Sequence, residues 1–270
     1  MDVSLVYMVA GLSSRFGGRI KQFAKVGMNG ETFIEVSLNQ AINASNDYSL
    51  SKIIFVVGEK TEKPFKDKFG DNYNGIPVFY AKQTYNPESR DGPWGTADAA
   101  CSALHLIKEP CVICNGDDLY GEKSFRKVIK CLCNSDENVT IGIELKEMIP
   151  NNGAVTRGIF KIKDNYLESA EEVEGITKEN FKEKVSYECL CNMNLFGLRP
   201  NVVKKLCQKV KKFRETYKSE RRKECYIHVE LANVLKENNE KMKIYPMTEK
   251  WLGITNPGDE VAVRKALCKN

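Results

Sequence analysis

The first half of the chain alternates short apolar runs with longer amphipathic stretches. Residues 5–10, 53–57, 77–80, 111–114 and 139–143 are nearly continuous runs of valine, isoleucine, cysteine and aromatic side chains. The run 53–57 ends at Gly58 and reads as a strand buried on both faces, as in a parallel sheet. Between the runs, Phe33, Ile34, Leu38, Ala41 and Ile42 recur at a helical period within 31–45, and similar patterns span 96–107 and 124–133. A β–α alternation with short crossovers predicts a doubly wound sheet, whose ligands sit outside the carboxyl ends of its strands.

Past Asn151 the pattern changes. Residues 156–163 and 166–170 read as antiparallel strands, and alternation continues through 184–196. Helical patterns then cover 200–218 and 228–238, followed by a strand at 243–246 and a last helix over 257–267. The expected fold is α/β: a Rossmann-like doubly wound mixed sheet with an antiparallel subregion, in one domain spanning 1–270 with halves at 1–150 and 151–270.

Composition narrows the function classes. No apolar run approaches the ~20 residues that span a bilayer, and Asp2 precedes an apolar run too short for a signal peptide, so a cytoplasmic protein is expected. The net charge of +5 suits anionic small substrates. Residues 204–223 hold ten basic and two acidic side chains, but Val203, Leu206, Val210, Phe213 and Tyr217 repeat at three and four. That predicts an amphipathic helix docked on the domain with a basic solvent face, and neither nucleic acid nor a membrane as partner. Of the ten cysteines, Cys111 and Cys114 point to opposite faces of a strand, and Cys131 and Cys133 do not meet on a helix. They read as core residues of a reduced protein rather than zinc ligands. With two histidines, His105 on a helix and His228 near a helix start, a histidine general base is not expected.

Three polar constellations fall at strand ends. The run 5–10 empties through Ala10 into Gly11, Ser13, Ser14, Arg15, Gly17, Gly18 and Lys21, small residues and cations suited to a chain of phosphates. It lacks the Gly-x4-Gly-Lys-Ser/Thr string, and Ser13 stands where a dinucleotide fingerprint needs its second glycine. Gln83, with paired donor and acceptor, precedes Gly92–Pro93–Trp94–Gly95–Thr96–Ala97, a helix-start turn with free backbone amides. Thr96 alone also fits a plain capped helix. Asn115–Gly116–Asp117–Asp118 follows the fourth strand. Asp117 there fits either a ligand for a hard divalent cation or an Asx turn capping a helix near Glu122.

Together these strings resemble the nucleotidyltransferase signature of sugar-nucleotide pyrophosphorylases. Met8–Val9–Ala10–Gly11–Leu12–Ser13–Ser14–Arg15 and Lys21–Gln22 match its loop, closest to a bacterial branch with Ser-Arg-x-Gly-Gly-x-x-Lys-Gln. The resemblance implies that a nucleoside triphosphate, UTP or dTTP, reacts with a sugar 1-phosphate to give a nucleotide sugar and pyrophosphate. It implies a nucleotide-binding half at 1–150 and a sugar-phosphate-binding half at 151–270. It assigns Arg15 and Lys21 to catalysis, and Ala10, Gly11, Ser13, Ser14, Gln83, Gly95 and Thr96 to the nucleotide. Gly153, Glu172 and Asn192 go to the sugar and Asp117 to Mg2+, with Thr255 or Asn256 as the second metal ligand. Relatives commonly carry Gly-Thr-Ala-His where this chain has Asp98. Two other readings stay open: a cytidylyltransferase acting on an alcohol phosphate such as phosphocholine, and a non-catalytic nucleotide-binding regulator.

Overall fold

The structure is a computed structural model and describes residues 1–11, 16–150, 153–185 and 189–268. The apolar runs form strands β1 (Asp2–Met8), β2 (Ser49–Val57), β3 (Asn72–Tyr73), β4 (Ile76–Lys82), β5 (Cys111–Asn115), β6 (Asp118–Leu119) and β7 (Asn138–Glu144). Helices α1 (Phe33–Ala44), α2 (Glu59–Phe69), α3 (Thr96–Ser102) and α4 (Glu122–Asn134) alternate with them. Then follow β8 (Val155–Lys163), β9 (Tyr166–Ile176), α5 (Phe181–Lys184), β10 (Leu190–Leu198), α6 (Pro200–Thr216), α7 (Ile227–Glu237), β11 (Met242–Pro246), β12 (Leu252–Gly253) and α8 (Asp259–Leu267).

Ten strands make one sheet in the order β3-β4-β2-β1-β5-β10-β7-β11-β9-β8. The pairs β4–β2, β2–β1 and β1–β5 are parallel. The chain moves outward from β1 to β2 and β4, then crosses back to β5, so the order reverses at β1. β10 runs antiparallel to both neighbours, β5 and β7. β8 also pairs with β10, which closes β10, β7, β11, β9 and β8 into a ring. The two faces carry separate cores. Leu38, Phe65 and Val128 of α1, α2 and α4 pack on one face; Ala100, Leu206 and Leu231 of α3, α6 and α7 pack on the other. Cys111 and Cys114 fall into different cores, as their spacing predicts.

Several boundaries differ from the sequence reading. Helix α2 is an addition, since its apolar face is only Phe65 and Phe69 and it contains Pro64. The pattern over 96–107 breaks after Ser102 into a 3-10 turn at Leu104–Leu106. α6 stops at Thr216, and its stripe of Val203, Leu206 and Val210 is buried. The alternation expected from 184 begins only at Leu190, because Phe181–Lys184 is a helical turn whose entry is fixed by Asn180: Thr177 N–H donates to its Oδ1, and its Nδ2 donates to Gly175 O.

β10 bulges between Asn192 and Phe196, with Asn194 in the left-handed region at φ 52°. The bulge releases carbonyls from the ladder, and each needs a donor. The Tyr120 hydroxyl takes the Met193 carbonyl at 2.9 Å and the Thr140 hydroxyl takes the Leu195 carbonyl at 2.9 Å.

At the opposite, amino-terminal end of the sheet, one carboxylate ties three parallel strands together. Glu109, just before β5, accepts from the hydroxyls of Ser4 on β1 and Ser51 on β2 and pairs with Lys52 at 3.1 Å. Burial alone would raise its pKa, but the two hydroxyls and Lys52 outweigh burial and hold it below the ordinary value. A depressed pKa contributes stability that is present at neutral pH and lost as pH falls through the folded value. Glu109→Gln is therefore expected to lower unfolding free energy at pH 7 by about 1–3 kcal/mol, and by less near pH 3. Urea denaturation at the two pH values checks this; an equal loss at both would contradict it.

Candidate active site

The carboxyl ends of β1, β2 and β4 meet in a cleft of about 230 Å3 lined by Ala10, Gly58, Lys60, Gln83, Tyr85 and Pro93. It opens at the carboxyl edge of the sheet, the side on which open α/β sheets take ligands, and one of its walls follows β1, where the strand order reverses. Gly58 lets the walls come this close: a Cβ there would lie 2.8 Å from Ala10 O. Gln83 is 7% exposed. Its backbone N–H extends the sheet to Val57 O, while its side-chain Nε2 donates to Gly95 O at 3.1 Å and Asp98 Oδ2 at 2.9 Å. Gly95 caps α3 at φ 98°, with Cys225 so near that a Cβ would sit 2.7 Å from its carbonyl oxygen. The Thr96 hydroxyl accepts from Ile227 N–H at 3.1 Å, which docks the start of α7 on that turn.

Beyond β5, Lys21 Nζ and Asp117 Oδ2 form an ion pair across 96 residues of sequence. Lys21 opens a 3-10 turn, Lys21–Phe23, anchored by Phe16, Val26 and Phe33, which pack with Leu119, Ile254 and Val263 in a third small core. Asp117 caps no helix; α4 is capped at Gly121, and Glu249 accepts from Lys123 N–H at 2.7 Å and Ser124 N–H at 3.2 Å. Its neighbour Asp118 turns the other way. Asn115 Nδ2 donates to it at 2.8 Å and Trp251 Nε1 at 2.9 Å. Burial and the charge of Asp117 push the Asp118 carboxyl up to about 7.

The 251–256 segment returns to this point. β12 pairs with β6, placing Gly253 opposite Asp118, and Ile254 N–H donates to Asp117 O at 3.2 Å. Thr255 and Asn256 follow directly, with both backbone amides donating to Asp259 Oδ2 at 2.8 and 2.7 Å. They border a second cleft of about 690 Å3 with Arg157, Met148 and Trp251. Among the described residues no three His, Cys, Asp or Glu side chains converge as a metal cluster.

The other expected residues are more dispersed. Glu172 on β9 faces the buried His228, Oε1 to Nε2 3.1 Å. Asn192 lies at the start of the β10 bulge, its Nδ2 donating to Asn194 Oδ1 at 2.7 Å. Gly153 is exposed at φ 87°. Ser13, Ser14 and Arg15 lie outside the described residues; Gly11, which enters that loop, is exposed.

No protein-family model matches the chain, and no curated protein matches its sequence. Solved structures do. A UDP-glucose pyrophosphorylase complexed with UDP-glucose superposes with a TM-score of 0.67 at 15% identity, covering 100% of this chain and 99% of that one. A putative glucose-1-phosphate thymidylyltransferase from Bacillus anthracis gives 0.71 at 13%, covering 99% and 95%. An inositol-1-phosphate CTP transferase from T. maritima gives 0.65 at 12%, covering 99% and 96%. The fold is that of the nucleotide-diphospho-sugar transferases.

Within this nucleotide-diphospho-sugar transferase fold, three site features escaped the sequence reading. Lys60 and Tyr85 line the first cleft but sit in a polar helix start and a loop without a motif. Arg90, 2% exposed, lies 3.4 Å from the Trp94 ring and donates to Glu220 O and Lys223 O at 2.8 and 2.6 Å. It thereby holds the loop before Gly95 in place. The Trp251–Asp118 bond joins residues 133 apart and leaves no local signal. Trp251→Phe removes one donor from that half-buried carboxyl and is expected to cost about 1–3 kcal/mol. Chemical denaturation measures it, and an unchanged midpoint and slope would contradict the role given to Trp251.

Proposed function

We propose that this protein is a nucleotidyltransferase that joins a nucleoside triphosphate, UTP or dTTP, to a sugar 1-phosphate and releases pyrophosphate. One observation carries the reading: a cleft containing Ala10 and Gln83 opens at the carboxyl ends of β1, β2 and β4, and the Lys21–Asp117 pair stands just past the carboxyl end of β5, the neighbour of β1. On this reading the chain acts as one domain, with 1–150 holding the nucleotide and 151–270 the sugar phosphate.

The donor set fits Mg2+. The ion takes hard oxygen ligands and keeps waters and substrate phosphates in its shell, so it needs one or two protein carboxylates rather than a cage. Asp117 supplies a part-exposed carboxylate, and the adjoining Thr255 and Asn256 offer a hydroxyl and an amide oxygen. Asp118 is taken up by Asn115 and Trp251 and serves as support. Bound there, Mg2+ would supply charge neutralisation at the phosphates.

The residues of the chain do the rest. Lys21 neutralises Asp117 in the free protein and has an ammonium to offer a phosphate once that carboxylate finds another cation. Arg15 is assigned to the β- and γ-phosphates and the leaving pyrophosphate. A phosphate oxygen of the acceptor attacks the α-phosphorus in line, the bond from the α-phosphorus to the pyrophosphate oxygen breaks, and pyrophosphate departs without a covalent enzyme intermediate. The work is positioning and charge compensation. Gly153, Glu172 and Asn192 are assigned to the acceptor.

Arg15→Ala is expected to reduce turnover by more than ~100-fold with folding intact, as for loss of one preorganised charge donor. Pyrophosphate release by the purified variant checks it; a near-normal rate refutes the assignment. Asp117→Asn is expected to shift the Mg2+ requirement to higher concentration, and an unchanged metal titration would remove Asp117 from the site. The assay, run across nucleoside triphosphates with sugar 1-phosphates, phosphocholine and inositol 1-phosphate, separates a sugar acceptor from an alcohol phosphate. Nucleotide binding without turnover identifies a regulator.

A further inference from the structure

The amide of Gln83 is held in one orientation. Both Nε2 protons point away from the cleft, one to Gly95 O at 3.1 Å and one to Asp98 Oδ2 at 2.9 Å. Each partner only accepts, so a reversed amide would set its own oxygen against a carbonyl and a carboxylate. The carboxylate is fixed in turn. Asp98 is 2% exposed in the first turn of α3, and its Oδ1 accepts from the guanidinium of Arg214 in the last turn of α6. A loop, a helix start and a helix end thus combine to turn Gln83 Oε1, an acceptor without a partner among the described residues, away from Gly95 and Asp98 in the cleft wall.

We propose that Asp98, braced by Arg214, is a positioning residue that sets base preference by fixing Gln83 as an acceptor. The inference rests on the nucleotide reading of the cleft. An acceptor there pairs with the imino N3–H of uracil or thymine. Cytosine presents an unprotonated ring nitrogen at the same position, so two acceptors would face each other in a buried site, a mismatch that costs far more than a missing methyl group. Asp98 reinforces the orientation that Gly95 O favours. The carboxylate can only accept.

The test is Mg2+-dependent binding of UTP, CTP and N3-methyl-UTP to the full chain and to Asp98→Asn and Arg214→Gln, followed by calorimetry. The native chain is expected to prefer UTP to both other nucleotides by roughly 10–100-fold. Asp98→Asn replaces one of the two acceptors that oppose a reversed Gln83 with an amide that can donate to it, while Gly95 O still favours the native orientation; the UTP/CTP ratio is expected to fall roughly 5-fold, with tighter CTP binding as the signature that a merely weakened fold would not produce. Arg214 is 40% exposed, and Arg214→Gln, whose amide can still donate to Asp98, is expected to shift the ratio in the same direction; thermal unfolding of both variants checks that each is folded before its ratio is read. Binding of none of the three by the native chain overturns the nucleotide reading itself. Equal binding of UTP and CTP, full binding of N3-methyl-UTP, or an unchanged ratio in the folded variants overturns this inference while leaving that reading intact.

Discussion

The position of β10 is the constraint on which the site depends. A strand formed after residue 190 runs antiparallel between β5 and β7, in the middle of the sheet. Its backbone is obliged to bond on both sides, and at the bulge over 193–195 it can do so only by recruiting side chains. Tyr120 is one of these. Its hydroxyl also accepts from Asn115 N–H at 3.0 Å, so the carboxyl end of β5 is tied to β10 at the point where Asp117 and Asp118 leave the strand. The sheet therefore fixes where Asp117 and Asp118 emerge.

Asp117 and Asp118 show how environment divides labour between identical neighbours. The strand end turns one carboxylate toward Lys21 and open space and the other into a wall made of Asn115, Tyr120 and Trp251. The inward carboxyl is desolvated and sits beside a like charge, so its proton is held more tightly. The outward one is paired with a cation and free to exchange it. Composition cannot distinguish these roles; two hydrogen-bond donors and one ion pair can.

The sheet was legible because its strands are continuous apolar runs and its ligand end follows from the crossover direction. The placement of Ala10, Gln83 and Asp117 at strand ends was legible for the same reason. Helix α2 was hidden by polar residues and Pro64, since burial of Phe65 and Phe69 is a weak periodic signal. What stayed invisible is everything that depends on distant pairing. Arg214 meets Asp98 across 116 residues and Trp251 meets Asp118 across 133, and neither partner carries a local pattern that announces the other. The Thr96 hydroxyl, which its sequence context relates to the nucleotide or to a plain helix cap, also docks α7 on the turn that holds Gln83.

The ring formed by β10, β7, β11, β9 and β8 has a consequence for how the protein behaves among other copies of itself. An open sheet presents two unpaired margins, each a template for another strand. Here the last strand turns back onto β10 and pairs with it at Ile159 and Phe160, so part of one margin is used up internally. On the other side β3, two residues long, covers only Ile76 and Pro77 of β4 and leaves the rest of that strand as the open margin. Chain topology, rather than surface charge, thus shields part of one margin of the sheet, and the outer side of β4 remains the place where another strand could add.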